Sequence, residues 1–332
     1  MVLVIAIRNL GRSLGIAGAR PEHKPKQISV FKLPFGSNLV NSADFLPLAA
    51  QSVCSYNQTL MPRTDPSTRY AMHGGKEGKE RLDVLAPVLL PTTRQLLNRV
   101  GLIEGMKCLD VGCGGGHVAM LIAGIVGPQG RVIGTDTDAE ILELATQDAE
   151  VAKVTNIKFQ QLDACACYWH KKFDLAYARF LLSHLNQPEK CVAAIVEACA
   201  PEGVIVVEDT DFAGSFCYPD CAAFDRYKEL YQELLQRRGG DSNIGPKLPA
   251  MLRKAGIQAV ELNVIHPAHI RGEGKLMAPL TMSRISHALS AERLATKEEV
   301  QQILTELNRV AADGETIISL PRIFQVWGKR AG

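Results

Sequence analysis

Asp110, Gly112, Gly114 and Gly116 fall within seven residues, and a second acid, Asp136, follows twenty residues after the last of those glycines. Glycines at alternate positions let the main chain turn tightly and let a ligand lie against bare backbone. A carboxylate about twenty residues further on is where a ribose diol is held, both hydroxyls donating to one charged acceptor. The acid ahead of the loop would repel a pyrophosphate but suits an ammonium group. A dinucleotide loop, G-x-G-x-x-G, needs glycine where His117 stands. The chemistry indicated is recognition of a nucleoside that carries an amino group.

The elements that must position these residues follow from the hydrophobic pattern. Residues 106–111 form a short apolar run, read as a buried parallel strand, and a helix follows over 117–126. Strands are expected at 131–135, 157–162, 173–178 and 203–208, with helices at 138–152, 179–185 and 188–200. Such alternation predicts an α/β protein with a doubly wound, Rossmann-like sheet covered on both faces. Upstream, 82–100 reads as helix, with Pro87 and Pro91 marking a kink or restart. Beyond Glu208 the pattern loosens into helices at 224–238 and 247–254, a strand at 259–265 and helices at 275–290 and 297–312. A final strand, 317–327, carries Pro321 in an edge or bulge position.

With the loop, the acid before it and the acid after it in place, the chain resembles the class I S-adenosylmethionine-dependent methyltransferases over roughly residues 70–330. Within that superfamily it is most similar to ubiquinone/menaquinone-type and secondary-metabolite small-molecule methyltransferases. The resemblance implies S-adenosyl-L-methionine as cofactor and a seven-stranded sheet whose last strand is antiparallel. It implies helical lid insertions at about 211–256 and 266–316, inside a domain spanning 61–332. It assigns cofactor contacts to Asp110, Gly112, Gly114, Gly116, Asp136 and Thr137. Asp163 and Ala164 would read the adenine, although Asp163 also fits a plain turn or helix cap. Arg179 would lie under the methionine part, and Tyr70 would reach the amino-acid end. The fourth strand lacks the Asn-Pro-Pro-Tyr or Asp-Pro-Pro-Tyr ending of enzymes that methylate exocyclic base amines or glutamine amides. That departure argues against nucleic-acid and release-factor substrates.

His184, after the fourth strand, is the candidate general base; the competing reading is a helix histidine bonded to backbone. Asp209 and Asp211, after the fifth strand, are alternative bases or substrate ligands. Methyl transfer asks little of acid–base chemistry, because the protein's main task is to align the reactants and exclude water. A protein of the same fold that binds the cofactor without transferring methyl, pericyclase-like or regulatory, is the alternative function. His117 disfavours a nicotinamide-dependent dehydrogenase.

Composition narrows the classes further. The 332 residues are 46 % hydrophobic and 22 % charged, with a formal charge of +2, values of an ordinary globular protein without an electrostatic case for nucleic acid. No apolar run is long enough to span a bilayer. Nine cysteines occur with no C-x-x-C pair, so free thiols in a reducing, cytoplasmic setting are expected rather than a metal site. Residues 1–60 hold two acids, Glu22 and Asp44, against six bases. They read as a disordered extension or a targeting segment, with organelle import following if they are a transit peptide.

Overall fold

The structure, a computed structural model, describes residues 75–332 except Cys167. Tyr70 and the expected extension over 1–60 lie outside the described residues. The first element, α1 (Gly75–Arg99), is one helix of 25 residues that contains both Pro87 and Pro91. The helix expected from 82 begins earlier, at Gly75, and it does not restart at either proline. Pro87 is exposed, and each proline costs a single backbone hydrogen bond, which the buried stripe of Leu85, Leu89, Leu96 and Leu97 outweighs.

Next come β1 (Lys107–Val111), α2 (His117–Val126), β2 (Arg131–Asp136), α3 (Ala139–Val151), β3 (Ile157–Gln161) and β4 (Phe173–Arg179). They are followed by α4 (Pro188–Ala198), β5 (Cys199–Asp211), β6 (Cys217–Tyr218), α5 (Ala222–Arg237), α6 (Leu248–Lys254) and β7 (Ile257–Ile265). The chain ends with β8 (Ala268–His269), α7 (Met277–Ala291), α8 (Lys297–Ala312), β9 (Ile317–Ser319) and β10 (Arg322–Arg330).

Seven strands form one sheet in the order β3-β2-β1-β4-β5-β10-β7. Strands β1 to β5 pair in parallel, and β10 runs antiparallel to both neighbours, β5 and β7. The expected architecture is therefore present. The order reverses direction between β1 and β4, and ligands of such sheets bind in the crevice outside the carboxyl ends at that point.

Period-two alternation sends successive side chains of the central strands into two cores. On one face Leu109, Val111, Ala176, Ala178 and Val207 pack with Val192 and Ile195 of α4 and Leu248 and Leu252 of α6. On the other, Cys108, Leu175, Tyr177 and Val206 pack with Leu96 and Leu97 of α1 and Ile122 of α2. A further core belongs to the insertions: Phe224 and Leu234 of α5, Met282, Ile285 and Leu289 of α7, and Ile303 and Leu307 of α8.

Two further expectations need correction, and one element had none. The helix expected over 179–185 is only a 3-10 turn, Leu182–His184, because β4 extends through Arg179. The expected strand 317–327 is two strands in different sheets: β9 pairs with β6 and β8, while β10 enters the main sheet after Pro321. Proline, lacking an N–H, breaks the ladder where the chain changes sheet. The three-stranded sheet β6-β9-β8 itself had no sequence signal, since two-residue strands carry no period. No helix among the described residues is long and apolar enough to cross a membrane.

Candidate cofactor and acceptor site

The glycine loop joins β1 to α2 at the reversal point. Gly112, Gly114 and Gly116 all adopt positive φ, 68°, 49° and 77°. At Gly114 a Cβ would stand 2.9 Å from Leu82 of α1, and at Gly116 it would stand 2.7 Å from the Phe159 ring of β3. These glycines are therefore demanded twice, by backbone conformation and by close packing of neighbouring elements. Gly116 caps α2 with no side-chain hydrogen bond, so the helix presents N–H groups at the loop.

Asp136 ends β2 and ties the loop down. Its Oδ2 accepts from Gly114 N at 2.9 Å, and its Oδ1 accepts from Asp138 N at 3.1 Å. Burial raises its pKa, and those backbone donors oppose the rise. Asp110, at the end of β1, is 2 % exposed, and its Oδ2 has no hydrogen-bond partner. Burial pushes its pKa up to about 7, against the pull of Arg179, while Asp136 adds to the rise. A buried carboxylate oxygen without a donor is costly unless a ligand supplies one. An ammonium group would do so, and in that respect the residues present fit the implied cofactor.

Arg179 is half-buried at the end of β4, its guanidinium over the Phe180 ring at 5.6 Å and its Nη1 donating to Thr93 Oγ1 at 3.2 Å. Asp163 lies exposed beyond β3, its Oδ1 accepting from Cys165 N at 2.9 Å. That is a turn-forming bond, so the cap reading of Asp163 holds locally. Beside it a hollow opens between Leu109, Val111, Thr135, Leu162 and Trp169, with Ala164 on its wall. Thr137 is exposed next to Asp136, its carbonyl accepting from Gln161 Nε2 at 2.9 Å. The loop, Asp110, Asp136 and Arg179 are thus brought to one point, Asp163 and Ala164 stand at the neighbouring strand end, and Tyr70 lies outside the described residues.

His184 sits in the 3-10 turn. Burial, with Arg81 adding to it, lowers its pKa to about 4. It is neutral across the physiological range, but a base with so low a pKa drives proton abstraction weakly. Asp209 and Asp211 were expected in the crevice; the structure uses both internally. Asp209 is fully buried and accepts from Ser183 N at 3.0 Å and Thr210 N at 2.8 Å, so it holds the turn after β4. Asp211 pairs with Arg322 of β10 at 2.6 Å.

Several residues at the site escaped sequence reasoning. Phe180 takes a φ of 54°, a conformation that costs a bulky residue energy, and its N–H is held by Glu208 O at 2.9 Å. It borders a buried apolar cluster of Leu85, Leu89, Met277, Leu320 and Ile323. Nothing in a Phe-Leu-Leu run signals a left-handed residue. Glu208 did carry a signal, an acid directly after the apolar run of the fifth strand.

A methyltransferase-domain family model matches residues 102–245. The O-methyltransferase cnsE of Penicillium expansum is 26 % identical over 270 residues, covering 81 % of this chain and 91 % of that protein. The demethylmenaquinone methyltransferase of Lactococcus lactis is 28 % identical over 180 residues, covering 50 % of this chain and 71 % of that protein. A solved structure from Bacillus halodurans shares the fold, with a TM-score of 0.50, 19 % identity, and coverage of 73 % of this chain and 100 % of the other. Loop, spaced acids, strand order and these similarities agree: over residues 102–245 the chain carries a methyltransferase domain, and over most of its length it is similar to S-adenosylmethionine-dependent methyltransferases.

Proposed function

We propose that the acceptor is a small, largely apolar molecule, bound beyond the exit of β4. The buried cluster of Leu85, Leu89, Met277, Leu320 and Ile323 beside Phe180 carries this reading. It supplies an apolar wall at the functional end of the sheet, assembled from α1, α7 and the start of β10. The O-methyltransferase names among the relatives support an oxygen nucleophile.

When bound, S-adenosylmethionine supplies a methyl group already activated on a sulfonium. In this reading Asp110 receives its ammonium, Arg179 and the Gly112–Gly116 loop hold the methionine part, and Asp136 with Thr137 takes the ribose hydroxyls. Asp163 and Ala164 hold the adenine. The helices α5, α7 and α8 form a lid, within the insertions 211–256 and 266–316, that excludes water while the wall aligns the acceptor. His184 serves as positioning scaffold for the turn after β4, and proton removal falls to solvent or to the acceptor's own acidity.

The test is calorimetry of the full chain with S-adenosylhomocysteine and, separately, NADH. It is followed by mass-spectrometric detection of S-adenosylhomocysteine formed with a panel of phenols and hydroxyaromatic acids. Binding of the first ligand alone, with turnover on at least one panel member, is expected. Preference for NADH would overturn the cofactor assignment. Tight S-adenosylhomocysteine binding without turnover across phenols, amines and carbon acids alike would favour the non-transferring alternative.

A further inference from the structure

Arg81 stands on α1 one turn before Leu85, so the two share a helix face, and Leu85 belongs to the apolar acceptor wall. It is half-buried, and its one hydrogen bond among the described residues runs from Nε to Thr281 Oγ1 of α7 at 3.4 Å. The other cations along this seam have acids. Lys79 pairs with Asp83 at 2.9 Å and Asp148 at 2.7 Å, and Arg284 pairs with Glu80 at 3.3 Å. Arg81 has no carboxylate partner among the described residues. Its charge also reaches His184, in the turn after β4, and Tyr227 of α5, whose hydroxyl is hydrogen-bonded to Thr281. Four elements therefore converge on one guanidinium: α1, the turn after β4, α5 and α7.

A guanidinium withdrawn from water without a carboxylate is unfavourable, and four of its five N–H donors remain to be used. Its planar fork matches a carboxylate with two parallel hydrogen bonds. We propose that Arg81 recognises a carboxylate on the acceptor, whose apolar part then lies along Leu85, Met277 and Phe180. The acceptor class is thereby an aromatic or otherwise apolar carboxylic acid. This inference rests on the placement of the acceptor beyond β4.

The experiment uses the full chain saturated with S-adenosylhomocysteine and follows thermal stabilisation by 2-naphthoate and by its neutral amide, 2-naphthamide. The acid should stabilise the native protein at lower concentration than the amide. Arg81→Gln should weaken the acid by about tenfold or more, the loss expected for a charged, paired hydrogen bond, and leave the amide unchanged. Arg81→Lys should retain part of the preference, because a point charge cannot form both bonds. Equal binding of acid and amide by the native chain overturns the proposal, as does an unaltered acid preference in Arg81→Gln. If Arg81→Gln does not fold, Arg81→Lys decides: weaker acid binding supports the proposal, and native acid binding overturns it. An S-adenosylhomocysteine shift without acid preference defeats this inference alone, whereas no such shift in the native protein defeats the cofactor reading on which it rests.

Discussion

Thr93 of α1 donates its hydroxyl proton to Glu208 Oε1 of β5 across 2.9 Å, 115 residues away in sequence. The same hydroxyl oxygen accepts from Arg179 Nη1 at 3.2 Å, so one threonine joins the residue at the β4 exit to a buried carboxylate. Glu208 is 1 % exposed and takes further donors from Tyr177 and, at 2.7 Å, from Gln325, which in turn accepts from Asn263 at 2.6 Å. A buried carboxylate persists only when its oxygens are satisfied, and here the donors come from α1, β4 and β10, with Asn263 of β7 supporting Gln325. The network lies under Arg179 and fixes where that side chain stands.

Replacing Thr93 by valine keeps the volume and removes both roles of the hydroxyl. Thr93→Val should destabilise the protein by about 1–3 kcal/mol, the cost of leaving a buried acceptor short of a donor. Calorimetry should show a melting temperature lower by about 2–4 °C per kcal/mol lost. An unchanged melting temperature would mean that Glu208 is satisfied without Thr93.

Asp136→Ala should weaken S-adenosylmethionine binding by about 1.5–3 kcal/mol, because a charged acceptor of ribose hydroxyls is lost. It also frees Gly114 N from its 2.9 Å bond, so the loop loses an anchor. Asp136→Asn keeps one acceptor oxygen and should fall between. Native affinity in a folded Asp136→Ala protein, measured by titration calorimetry, would remove Asp136 from the ribose site.

Asp110 gives the ligand-free protein and its cofactor binding opposite pH dependences. Folding raises its pKa from 3.8 to about 7, so the folded state holds the proton more tightly than the unfolded state. Its stabilising contribution is complete below about pH 4 and is lost as pH rises to about 7. An ammonium ligand needs the ionised form. Affinity for S-adenosylhomocysteine should therefore climb toward about tenfold per pH unit below 7 and level off above it. Asp110→Asn should flatten both curves, and a native affinity profile that is flat between pH 5 and 8 would contradict the assignment.

Leu280 is half-buried on α7, next to Thr281, which accepts from Arg81. Leu280→Asp should lower turnover while S-adenosylhomocysteine affinity stays near native, if α7 covers the acceptor and not the cofactor. Met277 is 7 % exposed inside the cluster with Leu85 and Ile323. Met277→Ala should cost about 2–4 kcal/mol in stability as well, because it opens a cavity in a shared core. Parallel loss of affinity and turnover in Leu280→Asp would make α7 part of the cofactor's own support.

Much of this protein was legible in its residue order. The run Met106–Val111, the glycines to Gly116 and the acid at Asp136 specify strand, turn and strand end through local periodicity and backbone freedom. From them the alternation to Glu208 implies a parallel sheet. The helix at Lys297–Ala312 has the bounds its periodicity indicates, opened by Thr296 accepting from Glu299 N at 3.2 Å. These features depend on neighbours within a turn or two.

What only the tertiary structure decided depends on contacts between distant residues. Pro87 and Pro91 sit inside one helix because packing of its leucines outweighs the local cost. Ile317–Trp327 divides between two sheets because β9 and β10 find different partners on either side of Pro321. Asp209 and Asp211, chemically able to act as bases, are taken by Ser183 and Arg322. Glu208 becomes a buried anchor, and Arg81 stands without an acid among the described residues, only once α1, α5, α7 and the sheet have closed on one another. Long-range packing selects among the roles that each side chain's chemistry allows, and no local pattern encodes that selection.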